Sequence, residues 1–220
     1  MGHVEFNLAE VGEPVQYLRK MQLSDVSEIV HVHISSFRGF FLTFLGPQFL
    51  SLLYDYIISS THGIGYVSLN DEDQIVGFIC GSTRPSGLYK SFLKEQWRRI
   101  VFAILLPVTR HPKVILRLAW RILNPPQAST EVGTALLLSI AILPEYQNKG
   151  IGKNLVQNFL DEMQQRNMRR VNLTTDKDSN DTVNSFYRHL GFQLVRSFVT
   201  PEGRRMNEYG INLSSRNVDA

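Results

Sequence analysis

Ten consecutive residues, Thr134 to Leu143, are almost all apolar and stop at Pro144, and a strongly helical stretch follows from Gly150 to Asn167. No other segment constrains the fold as much. A run this apolar and rich in Leu and Ile predicts a strand covered on both faces. The helix after it begins on Gly150 and Gly152, so it presents unpaired backbone N–H groups and the positive end of its dipole. Without a Cβ at those two positions an anion can approach the main chain, and Lys149 and Lys153 add positive charge. Taken alone the G-x-G pattern is not diagnostic. Its spacing is not that of a P-loop, and it lacks the third glycine and the later acid of a dinucleotide-binding fingerprint.

The rest of the chain reads as mixed α and β. Residues 15–22 form a first strand, and Ser24 stands at a helix N-cap with Asp25 in the first turn. Val26, Ile29, Val30, His33 and Phe37 follow at helical spacing. An aromatic-rich connection with Phe40, Phe41 and Phe44 leads to a second helix from Pro47 to about Ser60, striped by Phe49, Leu50, Leu53, Tyr54 and Ile57. Residues 65–69 and 74–82 alternate around Asn70-Asp71-Glu72-Asp73 as a hairpin. Residues 84–130 read as one or two helices. One apolar face carries Leu88, Phe92, Trp97, Ile100, Ile104 and Leu105 and is broken by Pro107; the other carries Val114, Leu118, Trp120 and Leu123. After the apolar strand and its helix come a strand at 170–174, a helix at 180–190, and a hairpin of 193–199 with 206–213 about Pro201-Glu202-Gly203. Hairpins at both ends argue against a doubly wound parallel sheet and for an α/β chain of the α+β type.

With 220 residues, 43% hydrophobic and 20% charged, the chain suits one domain, expected over residues 15–213. The single cysteine, Cys80, rules out an internal disulfide or a cysteine zinc site, and on an interior strand it reads as core. His31 and His33 lie two apart on a helix and face different directions, so no metal is expected. No signal peptide or spanning segment is evident, and a reducing, cytoplasmic setting is expected. Charge is unevenly spread. The whole chain carries +3, whereas residues 82–130 hold nine Lys or Arg against Glu95 alone, which marks an insertion. Three readings of that insertion stay open: a lid or homodimer surface, a substrate wall attracting a phosphorylated or nucleotide-linked acceptor, or peripheral contact with an anionic membrane. Nucleic acid is not expected, because the basic residues are interleaved with large aliphatics.

A second motif lies one helix and one strand beyond the glycines. Gln147-Asn148-Lys149-Gly150-Ile151-Gly152 resembles the Q/R-x-x-G-x-G/A motif of the GNAT superfamily of N-acetyltransferases. Asn180 to Phe192 resembles that superfamily's N-x-x-A-x-x-L-Y-x-x-x-G-F, with Val183 in place of the small residue and Phe186 in place of leucine. The resemblance spans residues 15 to 213 apart from the insertion. It implies a mixed, mostly antiparallel sheet splayed at its two central strands and flanked by helices.

It also implies an acetyl-CoA co-substrate, with its pyrophosphate on the loop of Gln147, Asn148, Lys149, Gly150, Ile151, Gly152 and Lys153. The pantetheine arm would pair with the backbone of Ile140, Ala141 and Ile142, with Asn180 and Asn184 at the cofactor arm. Tyr187 is the implied general acid for the departing thiolate. The acceptor is expected to be a primary amine attacking the thioester directly, an amino-sugar derivative first and another small-molecule or protein amine next. Leu136 stands where some relatives carry a catalytic glutamate. Glu131 and Glu145 are therefore the candidate bases, with deprotonation through water or an amine arriving neutral also open. That missing glutamate also motivates a different class of reading, a CoA-binding module without turnover.

Overall fold

The computed structural model describes residues 17–37, 41–110, 132–200 and 203–213. Seven strands form one sheet in the order β1-β2-β3-β4-β5-β7-β6. β1 (Tyr17–Lys20), β2 (Gly63–Leu69), β3 (Ile75–Ser82) and β4 (Thr134–Ile142) are antiparallel neighbours. β5 (Arg170–Asp176) runs parallel to β4, and β7 (Arg205–Asn212) and β6 (Gln193–Val199) complete the sheet antiparallel.

Helices cover the first half of the sheet on both sides, which is why β3 is buried at every position. On one face α1 (Val26–Ser36), α3 (Gly46–Ser59) and α4 (Pro85–Arg110) bury Ile29, Leu50, Phe92 and Ile100 against Val67, Phe78 and Cys80. A short α2 (Phe41–Phe44) precedes α3. On the other face α5 (Ile151–Gln165) packs Leu155, Phe159 and Met163 onto Ile79, Leu137 and Val171. α6 (Asp181–His189) adds Tyr187, which shares that core with Leu173, Phe192 and Tyr209.

Three local expectations are corrected. The chain enters a 3-10 turn over Leu23–Asp25 before α1, so Ser24 is not the cap. Instead the Asp25 carboxylate accepts the Gln22 N–H at 2.8 Å and pairs with Arg19 at 2.6 Å. The second concerns α4, a single helix through Arg110 that passes Pro107. A proline forfeits one hydrogen bond and crowds the preceding turn, and here the helix carries on for three residues beyond it. Trp97 is 56% exposed and not part of the apolar face. Nine residues beyond Leu88, at about 3.6 per turn, it falls on the opposite side of the helix, while Phe92, Ile100 and Ala103 stay with Leu88. The expected second helix of the insertion, with Val114, Leu118, Trp120 and Leu123, lies outside the described residues.

Candidate active site

β4 and β5 pair over three positions only, Thr134 with Arg170, Ala135 with Val171 and Leu136 with Asn172. β4 goes on pairing with β3 as far as Ile142, so from Leu137 onward its other edge opens onto the gap between the two strands. An extra residue, Leu138, interrupts the β3–β4 register between Cys80 and Gly81 and forms a bulge at the mouth of that gap.

Which backbone groups line the gap follows from antiparallel alternation. Leu143 N–H donates to the Val76 carbonyl at 2.9 Å, which makes those two a hydrogen-bonded pair. Counting back, Ala141 and Ser139 spend their N–H and C=O on β3, whereas Ile140 and Ile142 turn theirs to the opening. The Ile142 carbonyl is taken, receiving Ser36 Oγ at 3.0 Å and Gln147 Nε2 at 3.2 Å. The Ile140 N–H and C=O and the Ile142 N–H are left on the edge. Ala141 borders the gap, but its own polar groups face β3.

Past β4 the chain makes a 3-10 turn at Pro144–Tyr146 and then twice adopts left-handed backbone, at Asn148 (φ 62°) and Gly150 (φ 78°). Alternating left-handed residues curl the main chain so that successive N–H groups converge, a concavity suited to an anion. Gly150 is the α5 N-cap, no side chain caps that helix, and a Cβ built on Gly150 would meet nothing within 4 Å. The cradle is therefore open to an incoming group. The Lys149 ammonium stands 4.7 Å above the Tyr146 ring, and Lys153 is exposed on the first turn of α5. The residues from Gln147 to Lys153 form one exposed cradle, except that Ile151 is buried beneath it and Gly152 is half-buried against Ile142 and Phe186.

Asn180 caps the start of α6. Its Nδ2 donates to Thr175 Oγ1 at 2.8 Å and to the Asp176 carbonyl at 3.0 Å, which leaves Oδ1 as an acceptor. Asn184 differs. It is buried, its Nδ2 serves the Asp176 and Asn180 carbonyls, and its Oδ1 receives Asn207 Nδ2 and the Tyr209 hydroxyl, both at 2.9 Å. All four hydrogen-bonding positions of that amide are filled from within the fold. It locks α6 to β7 and has none left for a ligand.

Tyr187 packs edge-on between Phe186 and Phe192 and is 5% exposed. No described residue hydrogen-bonds its hydroxyl. Burial pushes its pKa well above the ordinary phenol value, so it carries its proton throughout the physiological range. Cys80 is fully buried and burial raises its thiol to about 12, which suits core and not a nucleophile. Glu145 is exposed in the 3-10 turn, on the loop side of the strand end, and Glu131 lies outside the described residues. Among the described residues no group of His, Cys, Asp or Glu side chains could hold a metal ion, and no helix is long and apolar enough to cross a membrane.

Three features were not singled out from sequence: the left-handed Asn148, the Ser36 hydroxyl on the β4 edge, and a buried polar contact between His33 and Tyr54. The sequence places His33 and Tyr54 only as members of apolar helical stripes, and Asn148 only as a motif position without its backbone conformation.

Known structures share this arrangement. A putative acetyltransferase of the GNAT family from Desulfovibrio desulfuricans superposes with a TM-score of 0.61 at 16% identity, covering 90% of this chain and 99% of that one. The ribosomal-protein-S18-alanine N-acetyltransferase from Escherichia coli gives 0.57 at 13% identity over 94% and 100%. The PaiA N-acetyltransferase from Thermoplasma acidophilum, in complex with coenzyme A, gives 0.54 at 15% identity over 88% and 97%. No curated protein matches the chain by sequence. The sequence model of the acetyltransferase (GNAT) family matches residues 29–192, and with the splayed strands and glycine cradle in place the chain belongs to that family.

Proposed function

We propose that the protein transfers an acetyl group from acetyl-CoA to a primary amine by direct attack within a ternary complex, as one domain over residues 15–213. The observation carrying this reading is the open β4 edge, which runs from the bulge at Leu138 into the anion cradle at Gln147 to Lys153. The residues fit the co-substrate. The cradle N–H groups with Lys149 and Lys153 would hold its diphosphate, the Ile140 and Ile142 backbone and Asn180 Oδ1 its amide-bearing arm. The carrier supplies an activated thioester. The chain's part is to align the arm as an added strand, to polarise the carbonyl with a backbone N–H such as that of Ile140, and to protonate the leaving sulfur from Tyr187. Because burial holds the phenol protonated at working pH, its proton is present to be passed to the thiolate, which must be basic enough to take it. Proton removal from the amine falls to Glu131 or Glu145, or to water with an amine arriving neutral.

For the acceptor we favour an amino sugar bearing phosphate or a nucleotide. α4 packs chiefly on α3 and leaves Lys90, Lys94, Arg98 and Arg99 exposed, cations that would draw an anionic acceptor towards the molecule. A protein or other small amine is the second reading, as in the S18-alanine acetyltransferase that this fold resembles. Anionic-membrane contact and a homodimer through the same face are its further partners to test, and a CoA-binding module without turnover is the alternative class.

Thiol release from acetyl-CoA, followed across glucosamine 6-phosphate, spermidine and an alanyl peptide, tests the reading. Tyr187→Phe is expected to lower kcat by roughly 100-fold, within the range for a lost general acid, with acetyl-CoA affinity unchanged. Undiminished turnover would remove Tyr187 from its role. Gly150→Asp forces a side chain into left-handed backbone and sets a carboxylate against the diphosphate. Calorimetry should then detect no acetyl-CoA binding, and retained binding would move the cofactor elsewhere.

A further inference from the structure

The outward face of α4 combines two properties that a helix facing water has no need to combine. Trp97, Val101 and Phe102 are 56%, 50% and 75% exposed. Among them stand Lys90, Lys94 and Arg98, all exposed. Helical geometry gathers the six. At about 100° per residue, Trp97 and Phe102 bound an arc of roughly 140°, and Lys90, Lys94, Arg98 and Val101 fall inside it. Leu88, Phe92 and Ala103 lie on the far side, buried. The Arg98 guanidinium sits 5.3 Å from the centre of the Trp97 ring, so cation and indole share one spot on the surface. Glu95 is the helix's only acid. It lies just past Phe102, towards α3, where it accepts the Tyr56 hydroxyl at 3.4 Å.

Each property narrows what can cover this face. A dissolved anion would satisfy the cations and leave three large apolar side chains in water. Two copies meeting through α4 would set like charges against each other. A nucleic-acid duplex would neutralise the cations but offers Val101 and Phe102 no apolar counterpart. An anionic lipid surface supplies both halves, negative headgroups above and the acyl boundary just below them. Indole favours that boundary, and long cationic side chains reach from a helix lying flat back to the headgroups.

We propose that the outward face of α4 docks the protein on an anionic lipid surface, with Trp97, Val101 and Phe102 entering the headgroup boundary and Lys90, Lys94 and Arg98 pairing with lipid anions. The contact is made from one side, since no helix among the described residues is long and apolar enough to cross. α4 belongs to the helical layer on the other side of the sheet from α5, so docking leaves the anion cradle away from the lipid. The inference goes beyond the acetyltransferase reading and does not depend on it.

The test is co-sedimentation of the full chain with vesicles of phosphatidylcholine alone, or with about 30% phosphatidylserine, in about 0.1 M salt. Binding is expected to the second and not to the first. Lys94→Ala with Arg98→Ala should weaken it roughly 25-fold, about five-fold for each cation lost. Val101→Ser with Phe102→Ser should weaken it about ten-fold or more, and an unchanged melting temperature will show that these exposed positions leave the fold intact. In the otherwise native chain, anionic vesicles should shift tryptophan emission to the blue, and Trp97→Phe should abolish that shift. No binding to anionic vesicles, equal binding to neutral ones, or undiminished binding by either double variant would overturn the proposal. Inorganic phosphate or poly-glutamate shifting the Trp97 emission as fully as vesicles do would overturn it as well, assigning the face to a dissolved anion or an acidic protein. Acetyl-CoA takes no part in these readouts, so failure here leaves the acetyltransferase reading standing, and retained acetyl-CoA binding by Gly150→Asp leaves this inference standing.

Discussion

Burying an imidazole with one nitrogen unpartnered ties folding to proton concentration. The His33 pKa drops from 6.5 to about 4 on folding because burial disfavours the charged ring. The unfolded chain therefore binds more protons between those values. Stability from this residue is complete above pH 6.5 and is lost as the pH falls towards 4, about 3 kcal/mol in all. Urea unfolding at pH 7, 5.5 and 4.5 should show that slope, and His33→Gln should flatten it. Asp25 and Glu162 act lower down. Burial raises both carboxylates, but Arg19 and Gln22 on one, and Arg166, Tyr66 and Lys20 on the other, hold them below their ordinary 3.8 and 4.5, so their contribution disappears only under stronger acid. Little of this was readable beforehand. Spacing placed His33 on the inner face of α1, but its hydrogen-bond partner, Tyr54, is 21 positions away on another helix. Asn184 shows the same limit, since its motif position suggested a ligand contact and its saturated amide appears only when α6 and β7 meet.

Among the elements, β4 is the one whose shape matters most, and Gly81 sets it. A Cβ there would fall 2.4 Å from the Phe159 ring and 2.5 Å from the Leu136 carbonyl, and the latter is backbone that cannot swing aside. The missing side chain lets β3, β4 and α5 close up beside the Leu138 bulge, which turns Ser139 and Ile140 to their respective faces. Gly81→Ala should cost about 2 kcal/mol or more in denaturant unfolding and also weaken acetyl-CoA binding. If affinity holds while stability falls, the bulge does not govern the edge. Periodicity located nearly every element, because the core demands alternation in strands and stripes in helices. It failed where a stripe was drawn by residue type, as with Trp97, and where a proline was taken as a stop, as at Pro107. It has no means of showing that β4 and β5 part after three pairs, since registry between strands 36 residues apart leaves no local mark.

For the whole molecule, the uneven charge gives a solution test. With Lys90, Lys94, Arg98 and Arg99 outward on α4, kcat/KM for glucosamine 6-phosphate should fall several-fold from low salt to about 0.5 M, while that for a neutral amine holds steady. A flat response would detach the basic face from substrate capture. The three-pair contact between β4 and β5 bears on mechanics as well as chemistry. Two half-sheets joined by so short a seam can breathe against each other more readily than either can fray within itself. A carrier laid along the gap would act as the missing lath in a panel. Occupancy should then slow deuterium uptake at Ile140 and Ile142 and raise the melting temperature, so the protein would be stiffest while loaded and loosest when its product must leave.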